Sequence, residues 1–343
     1  MATIKEIAAE LGISPMTVSN VLNNKKHKVS EKTYQRVMAL VQKRGYIPDA
    51  NARTLSSGSS RIIALWLPSF EQKSLLEIPY LSTITATISR FANQNHYEIM
   101  LLSTPSVQEF CHAVKSWGID GAVAFGVSSE NAQLITQVLT IPTIFIDSYV
   151  ENSGICTINS DDFSGAYLAT KHLCECGHTA IAFASGKEVY QEDRFRQNGL
   201  LYQRFLGYQK AIQEYNLDSH LLGEEISFEG GVLLGKAIAQ HNPKQITAIF
   251  STADEMIVGI KEGLESSGQK VPTDFSLIGF DNLPFTSYTS PKLSTVHQET
   301  TQKAQLAIDS LLALMSGKSI QNKQVLPIQL LKRESVLDRR KQS

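Results

Sequence analysis

The chain has 343 residues, of which 42% are hydrophobic and 19% are charged, and its formal net charge is −1. A chain of this length forms two or three domains with sizeable cores, and its composition excludes disordered acidic tails and fibrous proteins. The charge is unevenly distributed, because residues 1–58 carry +5 and the remainder −6. This asymmetry predicts a small basic module that binds a polyanion, joined to a mildly acidic body.

The sequence gives no indication of a membrane or an export pathway. Its longest apolar runs, such as 141–146, are far shorter than the ~18–20 residues that a membrane helix needs. The N-terminus lacks the apolar core of an export signal. The four cysteines are too few for a disulfide framework, so we expect a protein of the reducing cytoplasm. They are Cys111, Cys156, Cys174 and Cys176.

The first 45 residues predict three short helices. Apolar residues recur at helical spacing within 4–11, 18–22 and 34–41, and Thr3, Ser14 and Ser30 precede these stretches as N-caps. Gly12 ends the first helix where a tight turn needs a residue that tolerates positive φ. Two helices joined by so short a glycine-containing turn are typical of a helix-turn-helix. The alternative is a generic three-helix bundle that binds nothing.

The outward face of the second helix favours DNA binding over that generic bundle. Its residues are short or uncharged, which suits insertion into a major groove ~12 Å wide. They are Pro15, Met16, Thr17, Ser19 and Asn20. Lysines cluster beside this face, where phosphates would lie. They are Lys25, Lys26, Lys28 and Lys32.

Residues 48–55 predict a helix of about one and a half turns, with Asp49 as its cap, followed by a serine-rich flexible linker at 56–60. A helix this short is marginal in isolation because nucleation is costly. It should therefore form only when a partner packs on it. Without such a partner, the segment would be a frayed linker.

From Arg61 onward, short apolar strands alternate with helices. The predicted strands are 62–67, 98–102, 121–125, 143–146, 179–184, 247–250, 276–280 and 325–331, and the predicted helices include 81–94, 164–176, 204–215 and 255–267. This alternation is typical of doubly wound parallel sheets covered on both faces. Such sheets bind ligands in a crevice beyond the carboxyl ends of their strands.

The body contains no motif of phosphate-binding loops, dinucleotide-binding folds, serine hydrolases or zinc proteases. His172, Cys174, Cys176 and His178 form a metal-like cluster, but Cys-x-Cys is not the usual ligand spacing. Gly177 indicates instead that a helix ends there. We therefore predict no metal, no cofactor and no enzymatic activity.

Three segments together resemble the lactose-repressor (LacI/GalR) family of bacterial transcription regulators. They are T-I-K-E-I-A from Thr3, T-V-S-N-V-L-N from Thr17 and G-Y-I-P-D-A-N-A-R-T-L from Gly45. The resemblance extends to about residue 335. It implies a cytoplasmic, homodimeric, sequence-specific DNA-binding regulator, expected to be a repressor under allosteric control of a small effector. The remaining alternatives are a solute-binding protein, or a sugar-modifying enzyme that carries a DNA-binding module.

The resemblance also implies the domain organisation. An all-α helix-turn-helix domain occupies 1–47, a hinge helix and linker 48–60, and an effector-binding and dimerisation core 61–343. The core is expected to have the α/β periplasmic-binding-protein-like fold of two parallel-sheet subdomains. Its N-subdomain takes about 61–160 and 297–326, and its C-subdomain about 161–296 and 327–335. The chain should therefore cross between the subdomains near 160, 296 and 327.

By the same resemblance, Pro15, Met16 and Asn20 occupy the base-reading positions of the second helix. The family most often has arginine where this chain has Asn20, and asparagine pairs with adenine rather than guanine. Leu55 matches a leucine that wedges into the minor groove at the centre of a pseudo-palindromic operator. The implied DNA-binding residues are Thr3, Ser14, Pro15, Met16, Thr17, Ser19, Asn20, Asn23, Lys26, Asn51, Arg53 and Leu55.

Seven residues match the family's effector positions: Tyr80, Asp147, Asp161, Arg204, Phe228, Asp254 and Asp281. Carboxylates and an arginine beside aromatic rings suit a polyhydroxylated ligand. A sugar or sugar phosphate is therefore expected, with a purine or nucleoside as the alternative. Each aspartate could instead be a helix cap or lie in a solvated loop. The segment 187–201 is longer than the family usually has, and either covers the ligand or decorates the surface.

The assembly is also predicted. Residues 333–343 lack the apolar heptads of a tetramerising coiled coil. By family resemblance, two-fold pairing of the helices at 81–94 and 255–267 should form a dimer.

Overall fold

The computed structural model describes residues 3–22, 28–46, 58–67, 75–150, 154–197 and 199–341. The chain divides into two compact units, Met1–Arg61 and Ile62–Ser343. The predicted hinge helix at 48–55 lies outside the described residues. Among the residues that are described, no helix has the length and hydrophobicity needed to cross a membrane.

The smaller unit contains the predicted helix-turn-helix. Its helices are α1 (Ile4–Leu11), α2 (Pro15–Leu22) and α3 (Glu31–Arg44). Thr3 and Glu6 form a capping box at the start of α1, and Gly12 ends that helix at a φ of 65°. The three helices share one core, formed by Ile7, Ala8, Val18, Val21, Val37 and Leu40. The predicted apolar spacing therefore identified the packed face of each helix.

The first lobe of the larger unit is a six-stranded sheet. Its strands are β1 (Ile62–Trp66), β2 (Glu98–Leu102), β3 (Gly121–Phe125), β4 (Thr143–Ile146), β5 (Thr157–Ser160) and β11 (Lys323–Leu326). They run parallel in the order β11-β5-β4-β3-β1-β2. One face packs on α4 (Pro79–Gln94) and α12 (Thr300–Met315), and the other on α5 (Val107–Ser116) and α6 (Ser129–Val138). Strands β3 and β4 are buried along their whole length, as central parallel strands are.

The second lobe repeats this architecture. Its strands are β6 (Ile181–Ser185), β7 (His220–Gly223), β8 (Ala248–Ser251), β9 (Ser276–Asp281), β10 (Ser294–Gln298) and β12 (Ile328–Leu331). Their order is β12-β10-β9-β8-β6-β7. The helices α7 (Asp162–Glu175) and α9 (Gly199–Glu214) cover one face, and α10 (Phe228–Gln240) and α11 (Asp254–Glu265) cover the other. The short helix α8 (Glu192–Gln197) precedes α9.

The structure corrects the prediction of the strands in three respects. The predicted strand 325–331 is two strands, β11 and β12, which belong to different sheets and are separated by Pro327. Strand β12 is antiparallel to β10, so the second sheet is not purely parallel. The strands β5, β7 and β10 were missed, because their sequences mix polar and apolar residues. The chain passes between the lobes after Ser160, after Gln298 and at Pro327.

Helices α10 and α11 pack with their backbones in close contact. A Cβ atom on Gly259 would overlap the carbonyl oxygen of Phe228, and one on Gly231 would overlap the carbonyl oxygen of Met256. Neither glycine has a positive φ, so the requirement is for space rather than for conformational freedom. This contact buries one side of α11 within the lobe.

We expect Gly259→Ala to lower the free energy of unfolding by about 1–3 kcal/mol, because the helices must separate to admit a methyl group. Urea unfolding followed by circular dichroism measures this change. Lys236→Ala, at an exposed position of the partner helix α10, is the matched control and should change stability by less than about 0.5 kcal/mol. Equal stability of the Gly259→Ala and wild-type proteins would contradict this packing.

Candidate functional site

In the smaller unit, the outward face of α2 is available to a binding partner. Pro15 and Met16 are exposed, and Met16 exposes 69% of its surface. Thr17, Ser19 and Asn20 are half-buried beside them. Val18 and Val21 of the same helix are buried in the core. The helix therefore presents an uncharged, mostly short-chained edge with one apolar tip.

Two of the predicted DNA-binding residues have structural roles as helix caps. The Oγ1 atom of Thr3 accepts from the backbone N–H of Glu6 at 3.3 Å. The Oγ atom of Ser14 accepts from the N–H of Thr17 at 3.1 Å. These caps fix the start of α1 and α2. The remaining predicted residues lie outside the described part of the chain; they are Asn23, Lys26, Asn51, Arg53 and Leu55.

The larger unit has a cavity of ≈ 370 Å³ between its lobes, at the carboxyl ends of strands from both sheets. Its polar lining includes four of the predicted residues, Tyr80, Asp147, Arg204 and Asp281. Apolar side chains form much of the remaining wall: Ile78, Leu81, Phe125, Val127, Leu200, Leu201, Ile226 and Ala253. A cavity of this size with few polar groups is typical of a site for a small molecule.

The other three predicted effector residues do not line this cavity. Asp161 accepts from the N–H of Ser164 at 3.0 Å and so caps α7. Asp254 is fully buried and accepts from the hydroxyl of Thr295 and the N–H of Leu283. It therefore joins β10 to the loop after β9. Phe228 begins α10 and is 39% exposed.

A continuous set of polar contacts lies at the base of the cavity. We call it the charge chain; its members are Tyr80, Asp147, Lys303, Gln298, Asp281, Arg204, Asp162 and Tyr149. Lys303 Nζ donates to Asp147 Oδ1 at 2.6 Å and to Gln298 Oε1 at 2.9 Å. The side-chain amide of Gln298 donates to Asp281 Oδ1 at 2.6 Å. The first lobe is thereby joined to the second through hydrogen-bonded charges.

The charge chain continues through Arg204. Its Nε donates to Asp162 Oδ1 at 2.8 Å, and its Nη2 lies 3.8 Å from Asp281 Oδ1. Its guanidinium carbon lies 3.5 Å from the ring centroid of Phe280, a cation–π contact. Tyr149, which follows β4 of the first lobe, donates its hydroxyl to Asp162 Oδ2 at 2.6 Å. The charge chain therefore begins and ends in the first lobe and passes through the second.

Burial raises the pKa of several groups in the charge chain. It raises the pKa of Asp162, although Arg204 opposes the change. Burial also raises the pKa of Asp281 to about 7, again against Arg204. The pKa of Tyr80 is raised by burial and by the carboxylate of Asp147, to which its hydroxyl donates at 2.6 Å. Asp281 is therefore a carboxyl of this cavity whose charge changes near neutral pH.

Two cavity aspartates have unusual backbone conformations. Asp147 has a φ of 52° and Asp281 a φ of 113°, values that are uncommon outside glycine. Each follows or ends a strand, β4 and β9 respectively. Such conformations persist where surrounding contacts hold them, and they cluster at binding sites. The charge chain provides those contacts here.

The segment 187–201 forms one wall of the cavity. Glu188, Gly199, Leu200 and Leu201 line it. Phe195 is buried against the ring of Phe183, which anchors the segment to the second lobe. Of the two alternatives left open by the sequence, this placement favours a segment that contacts a ligand.

Sequence reasoning missed Lys303, Gln298, Asp162 and Tyr149. Lys303 could have been found, because it interrupts the apolar side of a helix that buries Ala304, Ala307 and Ile308. Asp162 is adjacent in sequence to Asp161, which was predicted instead. Only the burial of Asp162 at the start of α7 distinguishes the two aspartates. In the metal-like cluster, Cys176 Sγ lies 3.8 Å from His172 Nδ1. Among the described residues, no three His, Cys, Asp or Glu side chains are grouped so that they could hold a metal ion.

Comparisons with known proteins agree with both units. The profile described as "Bacterial regulatory proteins, lacI family" matches residues 3–49, and that of a periplasmic binding protein-like domain matches 170–336. The transcriptional repressor PurR of Vibrio campbellii is 31% identical over 332 residues, which cover 93% of each chain. The ribose operon repressor of Haemophilus influenzae is 28% identical over 91% of each chain.

One solved structure extends this agreement to the fold of the whole chain. The lac repressor dimer bound to operator and the anti-inducer ONPF superposes with a TM-score of 0.87 at 25% identity. The superposition covers 98% of this chain and 99% of that one. The predicted fold class is therefore confirmed: a helix-turn-helix domain followed by a two-lobed α/β core.

The raised pKa of Asp281 predicts a pH dependence of stability. The folded state holds a proton that the unfolded state, with a carboxyl pKa of ~4, has released, so Asp281 reduces stability as pH rises from about 4 through 7. Asp281→Asn cannot lose this proton. We expect the difference in unfolding free energy, variant minus wild type, to increase by on the order of 2 kcal/mol between pH 5 and 8.

Urea unfolding at several pH values measures this difference. Thr252→Val changes the same cavity without removing a titratable group, so its difference from wild type should be independent of pH. A flat profile for Asp281→Asn would contradict the assignment.

Proposed function

The chain belongs to the LacI family of bacterial transcriptional regulators, and on that premise we propose that it represses transcription under the control of a small hydroxylated effector. The observation that carries this proposal is the cavity lined from both lobes, with Tyr80 and Asp147 on one side and Arg204 and Asp281 on the other. A ligand that contacts both lobes binds one angle between them more tightly than another. By linkage, it then shifts the population of the form that binds DNA.

We further propose that segment 48–60 transmits this shift to the smaller unit. In this proposal, the hinge helices of a dimer pair over the minor groove and Leu55 opens one base step there. Asn51 and Arg53 would contact the same groove. Binding of this kind requires a pseudo-palindromic operator, because the two hinges are related by a two-fold axis. The protein would act in the cytoplasm, where the DNA is.

The α2 face supports a division of labour in DNA recognition. Asn20 and the exposed tip of Met16 would contact base edges, while Pro15 sets the start of the helix. Ser14 and Thr17, at the N-terminus of α2, together with Thr3 and Ser19, would contact phosphates. Asn23 and Lys26 would extend the phosphate contacts beyond α2.

We propose that the body forms a homodimer through one helix of each lobe. Helix α4 exposes the short side chains of Thr83 and Ala86, which allow close approach of a second helix. Helix α11 offers a narrower face, because α10 and the sheet bury eight of its twelve residues. Glu255, Val258, Glu262 and Glu265 are the half-buried or exposed positions of that helix.

The DNA proposal predicts different outcomes for two substitutions. Asn20→Ala should cost about 1–3 kcal/mol on the best operator and relax the preference at one base pair per half-site. Lys26→Ala should weaken binding to all sequences by a similar factor, because a phosphate contact does not depend on sequence. Binding-site selection with both variants measures the two effects. The same altered base preferences in both would refute this assignment of roles.

The effector proposal predicts different outcomes for two aspartates. A thermal-shift screen of sugars, sugar phosphates and nucleosides first identifies a ligand, since saturation at 100 times its dissociation constant adds ~2.7 kcal/mol of stability. Asp281→Asn should then weaken the effect of that ligand on operator affinity at least about tenfold, because a buried partner of the ligand is lost. Asp161→Asn, in a helix cap outside the cavity, is the matched control.

Operator binding is followed by fluorescence anisotropy with and without the ligand. An unchanged response in Asp281→Asn, or an equal loss in Asp161→Asn, would move the effector site elsewhere.

A further inference from the structure

Lys303 is a fully buried lysine that the function proposed above does not require. It lies on the side of α12 that packs against the first sheet, and its neighbours there are Ala304, Ala307 and Ile308. Burying a cation in such surroundings is costly unless its charge and all its donors are satisfied. The contacts of Lys303 therefore identify which negative charge it compensates.

All three N–H donors of Lys303 are engaged. Its Nζ donates to Asp147 Oδ1 at 2.6 Å, to Gln298 Oε1 at 2.9 Å and to the hydroxyl of Tyr80 at 3.1 Å. The second carboxylate oxygen of Asp147 accepts from Tyr80 at 2.6 Å. Lys303 thus cancels the charge of a carboxylate that lines the cavity.

The other charges around the cavity leave no cation free for an anionic ligand among the described side chains. Arg204 is ion-paired with Asp162, and its Nη1 donates to the carbonyl oxygen of Thr252. The other charged groups of the described lining are carboxyls: Asp281, which lies 3.8 Å from Arg204 Nη2, and Glu188. A phosphate group would therefore meet carboxyls rather than an unpaired cation.

We propose that Lys303 determines the charge of the ligand that this cavity accepts. Because it cancels Asp147 and the other charged groups of the described lining are mainly carboxyls, the cavity binds an uncharged hydroxylated molecule in preference to the phosphorylated form of the same molecule. This inference rests on the proposed function only in that a small effector occupies the cavity. The charge compensation by Lys303 favours a free sugar over a sugar phosphate, two alternatives that the sequence left open.

The lining is consistent with such a ligand. The hydroxyl groups of a sugar or nucleoside both donate and accept, so they can use the carboxyls and the guanidinium edge of Arg204. The C–H faces of the same molecule would pack on the apolar wall. Leu81 and Phe125 of the first lobe and Leu200 and Ile226 of the second contribute to that wall.

The test uses matched forms of the same compounds on the full-length protein. The first set of probes is glucose, glucose 6-phosphate and glucosamine. The second set is adenosine, AMP and 5′-amino-5′-deoxyadenosine. Titration calorimetry measures the affinity of each compound. Wild type should bind at least one free compound, and bind its phosphorylated form about 100-fold more weakly or not at all, since a phosphate is repelled by carboxyls of the same charge in a buried site. A phosphorylated form that binds equally well or better would overturn the proposal, and so would the absence of any binding.

Two reciprocal substitutions assign this selectivity to Lys303. Lys303→Met leaves Asp147 uncompensated and should raise the affinity ratio of the amino form to the free form by about tenfold or more. Asp147→Asn leaves Lys303 uncompensated and should raise the ratio of the phosphorylated form to the free form by a similar factor. The double variant carries neither charge, so both ratios should return to wild-type values. It also keeps the test decisive if Lys303→Met does not fold.

A merely structural role for Lys303 would weaken all three forms of a compound together, and that result would overturn the proposal. Lys261→Met is the matched control, because Lys261 is also buried and ion-paired, with Glu265 at 2.6 Å, but does not line the cavity. Its ratios should equal those of wild type. Operator affinity, measured on the same preparations, separates this inference from the proposed function. Absence of operator binding by the wild-type protein would refute the regulator. Unchanged charge selectivity in the Lys303→Met and Asp147→Asn variants, with operator binding intact, would refute only the role of Lys303.

Discussion

The ion pair between Lys303 and Asp147 holds the centre of the larger unit together. A cation and an anion buried at this depth are stable only as a pair, and only when their remaining hydrogen bonds are made. Tyr80 and Gln298 make those bonds. Because Gln298 also donates to Asp281, the pair is linked to the second lobe. The angle between the lobes, the shape of the cavity and the charge of its wall therefore depend on one another.

This dependence gives a regulator two properties that a purely apolar crevice would lack. Directional hydrogen bonds favour discrete arrangements, so the lobes are expected to occupy distinct angles rather than a continuous range. The strained conformations of Asp147 and Asp281 are held by the same bonds. A ligand that replaces any of them alters both lobes together, which is the condition for a small molecule to change a distant affinity.

Recognition of DNA rests on different physics in the smaller unit. Its fold depends on local capping and on a core of six buried side chains, and its helix α2 carries no charged side chain. Lys28 and Lys32 are exposed in the same unit, and in the proposed complex they would attract phosphates without sequence preference. In the same proposal, specificity comes from Met16 and Asn20, so the two contributions could change independently.

The sequence by itself determined the helix-turn-helix, the alternation of strands and helices, and four of the cavity residues. These features are local: caps and apolar spacing act within a few residues, and Tyr80, Asp147, Arg204 and Asp281 lie within recognisable motifs. Only the tertiary structure decided which of two adjacent aspartates, Asp161 or Asp162, is buried. It also revealed the polar strands β5 and β10, whose ends bring Ser160 and Gln298 within 2.8 Å across 138 residues of chain. The role of Lys303 could not be predicted from the sequence for the same reason. Its partners lie on three different parts of the fold, and residue spacing along the chain does not indicate that they are in contact.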